Sequence, residues 1–528
     1  MTFNILISDP LSEDGIYPLR QAEGMNIVIE TGWSPEELAN RISEFDALLV
    51  RSQTQVTADI IAKATNLKII GRAGVGVDNI DLTAATEHGI IVVNAPDGNT
   101  NSAAEHTMAM LMSLARKIPQ AFHALKNNEW DRKKYVGVEL KNKTLGVIGL
   151  GRIGAEVAAR AQGQRMNVIA YDPFLTAEKA LKMGIDFGSV EDVLRKADFI
   201  TVHTPLMKET KHLINAEAFK LMKDGVQIIN CARGGIIDEE ALYDAIVSKK
   251  VAGAALDVFE QEPAVNHKLL TLAEVIATPH LGASTIEAQE SVAIDVSQDV
   301  VNFLNGGVVR NPVNLPSVSK EVMIKIEPYF NLSEKLGAFL MGLTDEVIRE
   351  VNIYFSGDLA GFEVSPLTRN TLKGMLKRHL GEHVNEVNAK FFADRIGIQV
   401  NEHKSTASKG FTNLLTVEVT TESGTRRVAG TLLNGLGARI VKVDNYIVDV
   451  VPEGHIVFIK HKDQPGAIGR VGTLLAKENI NIATMQVGRS TLGGDAIMML
   501  TIDKHIEENE IERLKELEDI YDVTAIGL

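Results

Sequence analysis

The sequence predicts an α/β protein built from two doubly wound parallel-sheet domains, followed by an α+β domain and a small ferredoxin-like domain. Three observations predict this. Up to about residue 315, short continuous apolar runs alternate with amphipathic segments, the pattern of parallel strands buried on both faces and their crossover helices. Beyond about Pro316 the runs give way to apolar/polar alternation, the mark of a half-exposed sheet. From about Val451 to the end the elements read βαββαβ.

The first series of strands is Ile5–Ile7, Ala47–Val50, Leu67–Ile70 and Ile90–Val93. The second is Thr144–Ile148, Asn167–Tyr171, Phe199–His203, Val226–Asn230, Ala252–Leu256 and Val275–Thr278. Helical patterns such as Ala103–Leu114 and Ile153–Gln162 separate many of them. Segments Glu346–Phe355, Leu415–Thr421 and Ala438–Val451 alternate, with Ser423-Gly424 as a hairpin turn. The last part reads strand His455–His461, helix Ile468–Asn479, strands Ile482–Arg489 and Ala496–Asp503, helix Glu508–Glu516 and strand Tyr521–Ile526.

Length and composition bound the function. A chain of 528 residues is too long for one core. Lys and Arg number 54 against 69 Asp and Glu, a net charge of −15, which argues against nonspecific nucleic-acid binding. A few arginines can still make one cleft positive for an anionic substrate. Cys231 is the one cysteine, so a reducing compartment fits. The N-terminus has no basic leader, and no apolar stretch approaches the ~20 residues that span a bilayer. A cytoplasmic protein with no membrane contact is expected. No cluster of His, Cys and carboxylates has ligand spacing, so no metal is expected.

Gly149-Leu150-Gly151-Arg152-Ile153-Gly154 follows the strand Thr144–Ile148 and opens a helix. Gly149 allows the tight turn, Gly151 lets the backbone approach a pyrophosphate, and Gly154 lets helix and strand pack closely. The helix start then favours the anion. Such a glycine pattern alone is weak, but here the next strand ends in Asp172, 18 residues on, within a βαβ unit of about 30 residues. A carboxylate there accepts hydrogen bonds from a ribose and repels a 2′-phosphate, so the cofactor expected is NAD rather than NADP.

Three further segments begin where strands end: Asn230-Cys231-Ala232-Arg233-Gly234-Gly235, Leu256-Asp257 through Glu262-Pro263, and Thr278-Pro279-His280-Leu281-Gly282. Loops at the carboxyl ends of strands line the ligand crevice of open α/β sheets. His280 is the natural base for a hydroxyl proton. Glu262 could fix its tautomer, and Arg233 could hold a carboxylate and polarise the carbonyl formed. Taken singly each has a bland reading: a helix cap, a solvated loop acid, a surface ion pair. Cys231 reads as a small residue packed under the cofactor rather than a nucleophile.

These motifs, with Pro-His-Leu-Gly-Ala-Ser at the third, resemble the D-2-hydroxyacid dehydrogenase family, in its long form with an intervening domain and a C-terminal ACT domain. The resemblance covers the whole chain. It implies a Rossmann-type cofactor domain (98–283) inserted in a flavodoxin-like substrate-binding domain (1–97 and 284–317), then an intervening domain (318–452) and an ACT regulatory domain (453–528). Pro96 and Pro279 lie near the crossings, and closure about that hinge would exclude water.

The activity implied is NAD-dependent oxidation of 3-phospho-D-glycerate to 3-phosphooxypyruvate, the first step of phosphorylated L-serine biosynthesis. Arg233, Glu262 and His280 become the catalytic trio. NAD contacts are implied from Arg152, Ile153, Asp172, Thr204, Cys231, Ala232, Arg233, Asp257, His280 and Gly282. Arg51, Arg72 and Asn99 are placed near substrate, and Arg132 and Lys133 near its phosphate, with a subunit boundary as one route to it. In the ACT-like tail, His461, Asp463, Gly466 and Asn481 are the effector residues, with L-serine as the feedback inhibitor and a homodimer or homotetramer as the assembly. From the residues alone, Pro465-Gly466 could equally be a turn and Asn481 a cap. Lys373, Lys377, Arg378, Arg426 and Arg427 make the intervening domain basic without a defining spacing; in some members this domain binds a second anion. Two rivals stand beside the main reading: a glyoxylate or hydroxypyruvate reductase, and an NAD(H)-sensing binding protein without catalysis.

Overall fold

The computed structural model describes residues 2–344, 346–407 and 410–528. Its first sheet contains β1 (Phe3–Ile7), β2 (Met25–Ile29), β3 (Ala47–Val50), β4 (Ile69–Arg72) and β5 (Ile91–Asn94), all parallel, in the order β2-β1-β3-β4-β5. This is the flavodoxin-like order. Strand β2 is not among those expected from the sequence; it is an edge strand, only partly buried, whose apolar run is confined to Ile27–Ile29. The chain leaves through Pro96 into helix Thr100–Arg116 and returns as helix Ile286–Leu304. Val292, Val296 and Val300 of the returning helix join Ile5, Leu49 and Ile69 in one buried cluster.

The second sheet contains β6 (Thr144–Ile148), β7 (Asn167–Tyr171), β8 (Asp186–Phe187), β9 (Phe199–Val202), β10 (Val226–Asn230), β11 (Val251–Leu256) and β12 (Val275–Ala277). All pairs are parallel, in the order β12-β11-β10-β9-β6-β7-β8. The strand order reverses between β6 and β9, the switch point at which such sheets open a crevice. Helix 100–116 and helix Arg152–Gly163 cover one face through Leu111, Leu114 and Val157. Ala218, Phe219, Leu242 and Ile246 from two further helices cover the other.

The third sheet is mixed. It contains β13 (Glu350–Gly357), β14 (Gln399–Ser405), β15 (Asn413–Thr420), β16 (Thr425–Leu433), β17 (Gly437–Val443) and β18 (Tyr446–Val450), ordered β14-β13-β15-β16-β17-β18. Only β13 and β14 pair in parallel. The hairpin at Ser423-Gly424 joins β15 to β16, closed by Thr421 N–H on the Gly424 carbonyl at 2.9 Å. The segment Ala438–Val451 is not one strand, as its alternation suggests, but two. They turn at Asp444-Asn445, where Asp444 has φ +50°, a dipeptide suited to a tight hairpin.

The C-terminal sheet contains β19 (His455–Lys462), β20 (Ile482–Arg489), β21 (Asp495–Ile502) and β22 (Ile520–Gly527), ordered β20-β21-β19-β22 and wholly antiparallel. Val471, Leu475, Ile511 and Leu514 from its two helices bury against one face, completing the βαββαβ pattern. No helix among the described residues is long and apolar enough to cross a membrane.

Candidate active site

The glycine turn sits at the switch point. Gly149 has φ +94°, and a Cβ there would stand 2.6 Å from the His203 carbonyl oxygen, so only glycine is comfortable. A Cβ on Gly154 would overlap the Gly149 carbonyl, whereas one on Gly151 meets nothing within 4 Å. Gly151 therefore leaves open space at the start of helix 152–163, where free N–H groups point outward. Asp172 closes the turn from below: its Oδ2 accepts from Leu150 N–H at 2.9 Å and its Oδ1 from Phe174 N–H at 2.8 Å. Each oxygen keeps further acceptor capacity for a ribose. Arg152 is exposed and pairs with Asp97 at 2.5 Å, while Ile153 is half-buried.

The catalytic candidates converge from separate loops. His280 Nδ1 lies 2.8 Å from Glu262 Oε2. Both line a cavity of about 830 Å³ together with Arg51, Arg72 and Asp257. Arg233 is not part of that lining but stands beside it: its Nε donates to Asp78 Oδ2 at 3.0 Å and its Nη1 to the Ala232 carbonyl at 2.7 Å. Burial, followed by the charges of Arg233 and Arg51, pushes the Arg72 guanidinium down to about 10. The Arg72 Nε is buried with no partner. Three guanidinium groups thus crowd one end of the cleft, a demand for an anion. Burial alone would raise the Glu262 carboxyl. The His280 hydrogen bond and charge, with the Phe259 N–H, more than offset it and hold the group below its ordinary value, so it faces the imidazole as a carboxylate.

Two residues that sequence reasoning missed, Asp9 and Asp78, and one that it assigned to another role, Asp257, place these groups. Asp9, 1% exposed, accepts from the N–H groups of Arg51 (2.6 Å), Gln53 and Thr54, fixing the turn that presents Arg51. Asp78 occupies Arg233 as described. Asp257, also 1% exposed, accepts from the N–H groups of Leu281 (2.7 Å) and Gly282 (2.8 Å) and from Thr278 Oγ1 (2.6 Å), with His106 Nε2 at 3.2 Å. The sequence assigns Asp257 only to the cofactor. Its grip on the 278–282 turn is legible only in three dimensions.

Other expected residues stand apart. Asn99 precedes helix 100–116 and its Oδ1 is buried without a partner, but it is not part of the cavity lining. Arg132 and Lys133 lie exposed in the loop after helix Ile118–Lys126 and do not line the cavity of their own chain. The basic residues of the intervening domain are already engaged: Lys373 and Lys377 with Glu334, Arg378 with the Met341 carbonyl, Arg426 with Asp444 and Arg427 with Glu418.

The effector candidates do not form one site within one chain. Asp463 Oδ2 accepts from Gly493 N–H at 3.1 Å and approaches Arg489 at 3.5 Å. His461 is buried and donates from Nδ1 to the Lys462 carbonyl. Gly466, at φ +93°, starts helix Ala467–Lys477. Asn481 instead donates to Asp503 Oδ2 at 2.7 Å. In register, Ile482 opposes Ile502, which opposes His455, whereas Lys462 opposes Asp495. Asn481 and the 461–466 loop therefore sit at opposite ends of the sheet.

A dinucleotide fits the crevice. Thr204 Oγ1 and His203 Nδ1 are buried without partners beside the glycine turn, and Cys231, Ala232 and Gly282 offer a floor of small residues. Burial, then the Asp257 charge, pushes the Cys231 thiol up to about 12, which leaves it as packing rather than a nucleophile.

Comparison with known proteins identifies the family. The family model for the NAD-binding domain of D-isomer specific 2-hydroxyacid dehydrogenases matches residues 108–282. The model for the D-3-phosphoglycerate dehydrogenase intervening domain matches 325–444, and that for the ACT domain matches 455–519. The D-3-phosphoglycerate dehydrogenase of Bacillus subtilis is 49% identical over 526 residues, covering 100% of both chains. That of Methanocaldococcus jannaschii is 46% identical over 527 residues, covering 99% of each. Among solved structures, D-lactate dehydrogenase from Aquifex aeolicus, complexed with NAD and lactic acid, is 31% identical with a TM-score of 0.54, covering 60% of this chain and 100% of that one. A glyoxylate reductase from Paecilomyes thermophila is 28% identical with a TM-score of 0.55, covering 59% of this chain and 98% of that one. The cofactor is NAD, and the chain belongs to the D-isomer specific 2-hydroxyacid dehydrogenase family, among its D-3-phosphoglycerate dehydrogenases with their intervening and ACT domains.

Proposed function

We propose that the chain oxidises 3-phospho-D-glycerate at C2 to 3-phosphooxypyruvate, the step that opens phosphorylated L-serine biosynthesis. The observation that carries this is the His280–Glu262 pair at 2.8 Å in one cavity with Arg51 and Arg72, with Arg233 alongside. The full-length relatives support the substrate, and the Asp172 carboxylate supports NAD over NADP.

NAD, when bound, supplies the ring carbon that accepts the hydride leaving C2. The chain does the rest. Arg233 takes the substrate carboxylate in place of Asp78 and polarises the developing carbonyl oxygen. Arg72 and Arg51 meet the phosphate, which satisfies the crowded guanidinium groups. His280 Nε2 removes the hydroxyl proton while Glu262 on Nδ1 fixes the tautomer and stabilises the imidazolium. The substrate thus loses one proton and one hydride, and His280 later releases its proton to water. Three cations exceed what the lone carboxylate of glyoxylate or hydroxypyruvate needs, and a sensor without catalysis needs no His–Glu pair.

The test follows the absorbance of reduced nicotinamide with 3-phosphoglycerate as substrate. His280→Ala is expected to lower turnover by at least ~100-fold, and an unchanged turnover would remove the reading. Specificity constants for 3-phosphoglycerate, glyoxylate and hydroxypyruvate measured side by side decide between the dehydrogenase and the reductase reading.

For regulation we infer L-serine binding at the ACT domain. Because Asp463 and Asn481 stand at opposite ends of their sheet, one small ligand can touch both only if Asn481 comes from a second copy, which favours a homodimer or homotetramer. The exposed row Ile118, Phe122 and Leu125 on helix 118–126, with Trp130 at 79% exposure, supports association. Arg132 and Lys133 in the same region would reach a substrate only from a neighbouring subunit. Serine titration of the initial rate and light scattering of the eluted protein test the two parts. The reduced single cysteine supports a cytoplasmic location.

A further inference from the structure

Helix 100–116 enters the cofactor domain directly after the first crossing between the two halves. One face of it is tied to the second crossing by two hydrogen bonds. Ser102 Oγ lies 2.7 Å from Thr285 Oγ1, and one turn later His106 Nε2 lies 3.1 Å from Thr278 Oγ1 and 3.2 Å from Asp257 Oδ1. Residues four apart share a helix face, so the two contacts clasp residues 278–285 from one side. Between them sits His280, whose φ of +56° is a left-handed conformation that a non-glycine residue holds only where its surroundings impose it.

That turn persists because Asp257 over-determines it. The Asp257 carboxylate accepts from Thr278, Leu281 and Gly282, and its backbone carbonyl accepts from His280 N–H at 2.9 Å. Every one of those donors belongs to the turn itself. His106 is the one side chain from outside the turn, among the described residues, that reaches this carboxylate: its Nε2 bonds Thr278 Oγ1 and stands 3.2 Å from Asp257 Oδ1. Thr278 Oγ–H donates to Asp257 at 2.6 Å, so His106 Nε2 donates to Thr278 Oγ1 and backs the carboxylate through it and by its own approach to Oδ1. A buried carboxylate with too few donors is costly, and loosening it frees the segment that aims the imidazole at Glu262.

We propose that His106 is a positioning residue for hydride transfer: through Asp257 it anchors the 278–282 turn and so holds His280 in its working orientation. The inference rests on the reading of His280 as the base. Burial would raise the Asp257 carboxyl, but the hydrogen bonds from His106, Thr278 and Leu281 more than offset it. The group is therefore an anion whose charge His106 faces from the helix side.

The experiment compares His106→Gln with His106→Asn in the full-length chain. Glutamine can place an amide N–H where Nε2 stands; asparagine, of similar polarity, falls short. Losing a hydrogen bond to a charged group should cost His106→Asn about 10- to 100-fold in kcat/KM for NAD, with His106→Gln within about 3-fold of wild type. Thermal melts of the two variants should coincide, and deuterium uptake at residues 278–285 should accelerate in His106→Asn alone. Equal kinetics for the two variants, at whatever level, would overturn the role, since bulk packing does not distinguish them. His280→Ala in the same assay separates the layers. If it stays active, the reading of the base fails; if it is inactive while the two His106 variants match, only the positioning role fails.

Discussion

Arg233 Nε donates to Asp78 Oδ2 at 3.0 Å, across the cleft between the cofactor half and the substrate half. The guanidinium proposed to hold the substrate carboxylate therefore already holds a carboxylate of the protein. The two acids compete for one fork. Asp78 is exposed, with 69% of its side chain open, so the pair is weak, and removing it should favour substrate. Asp78→Asn is expected to lower KM for 3-phosphoglycerate by about 2- to 5-fold, the equivalent of a surface ion pair, with kcat nearly unchanged. Steady-state kinetics at saturating NAD check this, and a raised KM would show that Asp78 orients Arg233 instead of competing with the substrate.

Arg72 should show a trade between stability and function. Its guanidinium is pushed down to about 10 by burial and then by Arg233 and Arg51, so the folded chain holds that proton less tightly than the unfolded chain does. At any pH below about 10 the charge costs stability, and the cost fades only as pH rises from there toward the ordinary arginine value. Arg72→Met is therefore expected to raise the ligand-free melting midpoint, by the equivalent of about 1–3 kcal/mol, while abolishing turnover. Inorganic phosphate should raise the midpoint of wild type but not of the variant. A midpoint that falls in Arg72→Met would contradict the argument.

Much of this molecule is legible in its sequence, for physical reasons that also mark the limits. Strand β6, the glycine turn and Asp172 follow one another within a single supersecondary unit, so local rules find them. His280, Glu262 and Arg233 stand out as candidates because each lies in a loop that follows a strand, where an α/β sheet opens. Asp78 and His106 escape because their partners lie 155 and 151 residues away, at Arg233 and Asp257. His106 also reads simply as part of an amphipathic helix. The same limit explains Asn481: the family resemblance groups it with Asp463, but β19 and β20 run in the same direction through β21 and carry the two residues to opposite ends.

Cys231 lies among the proposed cofactor residues yet should be chemically silent. It is 8% exposed, and its thiol is pushed up to about 12 by burial and by Asp257. The thiolate that a disulfide reagent needs is therefore scarce at neutral pH. Labelling of the native protein at pH 8 is expected to be at least about 100-fold slower than in denaturant, and Cys231→Ala should keep near-wild-type turnover. Rapid native labelling accompanied by loss of activity would mean that the thiol is reachable from the cofactor crevice.

The glycine turn offers a test that separates folding from binding within four residues. A Cβ on Gly154 would overlap the Gly149 carbonyl, and relieving that contact must push helix 152–163 off β6. Gly154→Ala is thus expected to destabilise the cofactor domain by about 1–3 kcal/mol, the usual cost of overpacking, whether or not NAD is present. Gly151 has φ −69° and ψ −160°, which alanine can adopt, and its Cβ would enter open space. Gly151→Ala should therefore melt with wild type. Its methyl group would stand where the pyrophosphate approaches the helix start, so the expected loss is in KM for NAD, by about 10-fold or more if one close phosphate contact of roughly 1.4 kcal/mol is removed. Equal melting loss in both variants would place the crowding at Gly151 too, and an unchanged KM for Gly151→Ala would mean that the phosphates lie elsewhere along the switch point.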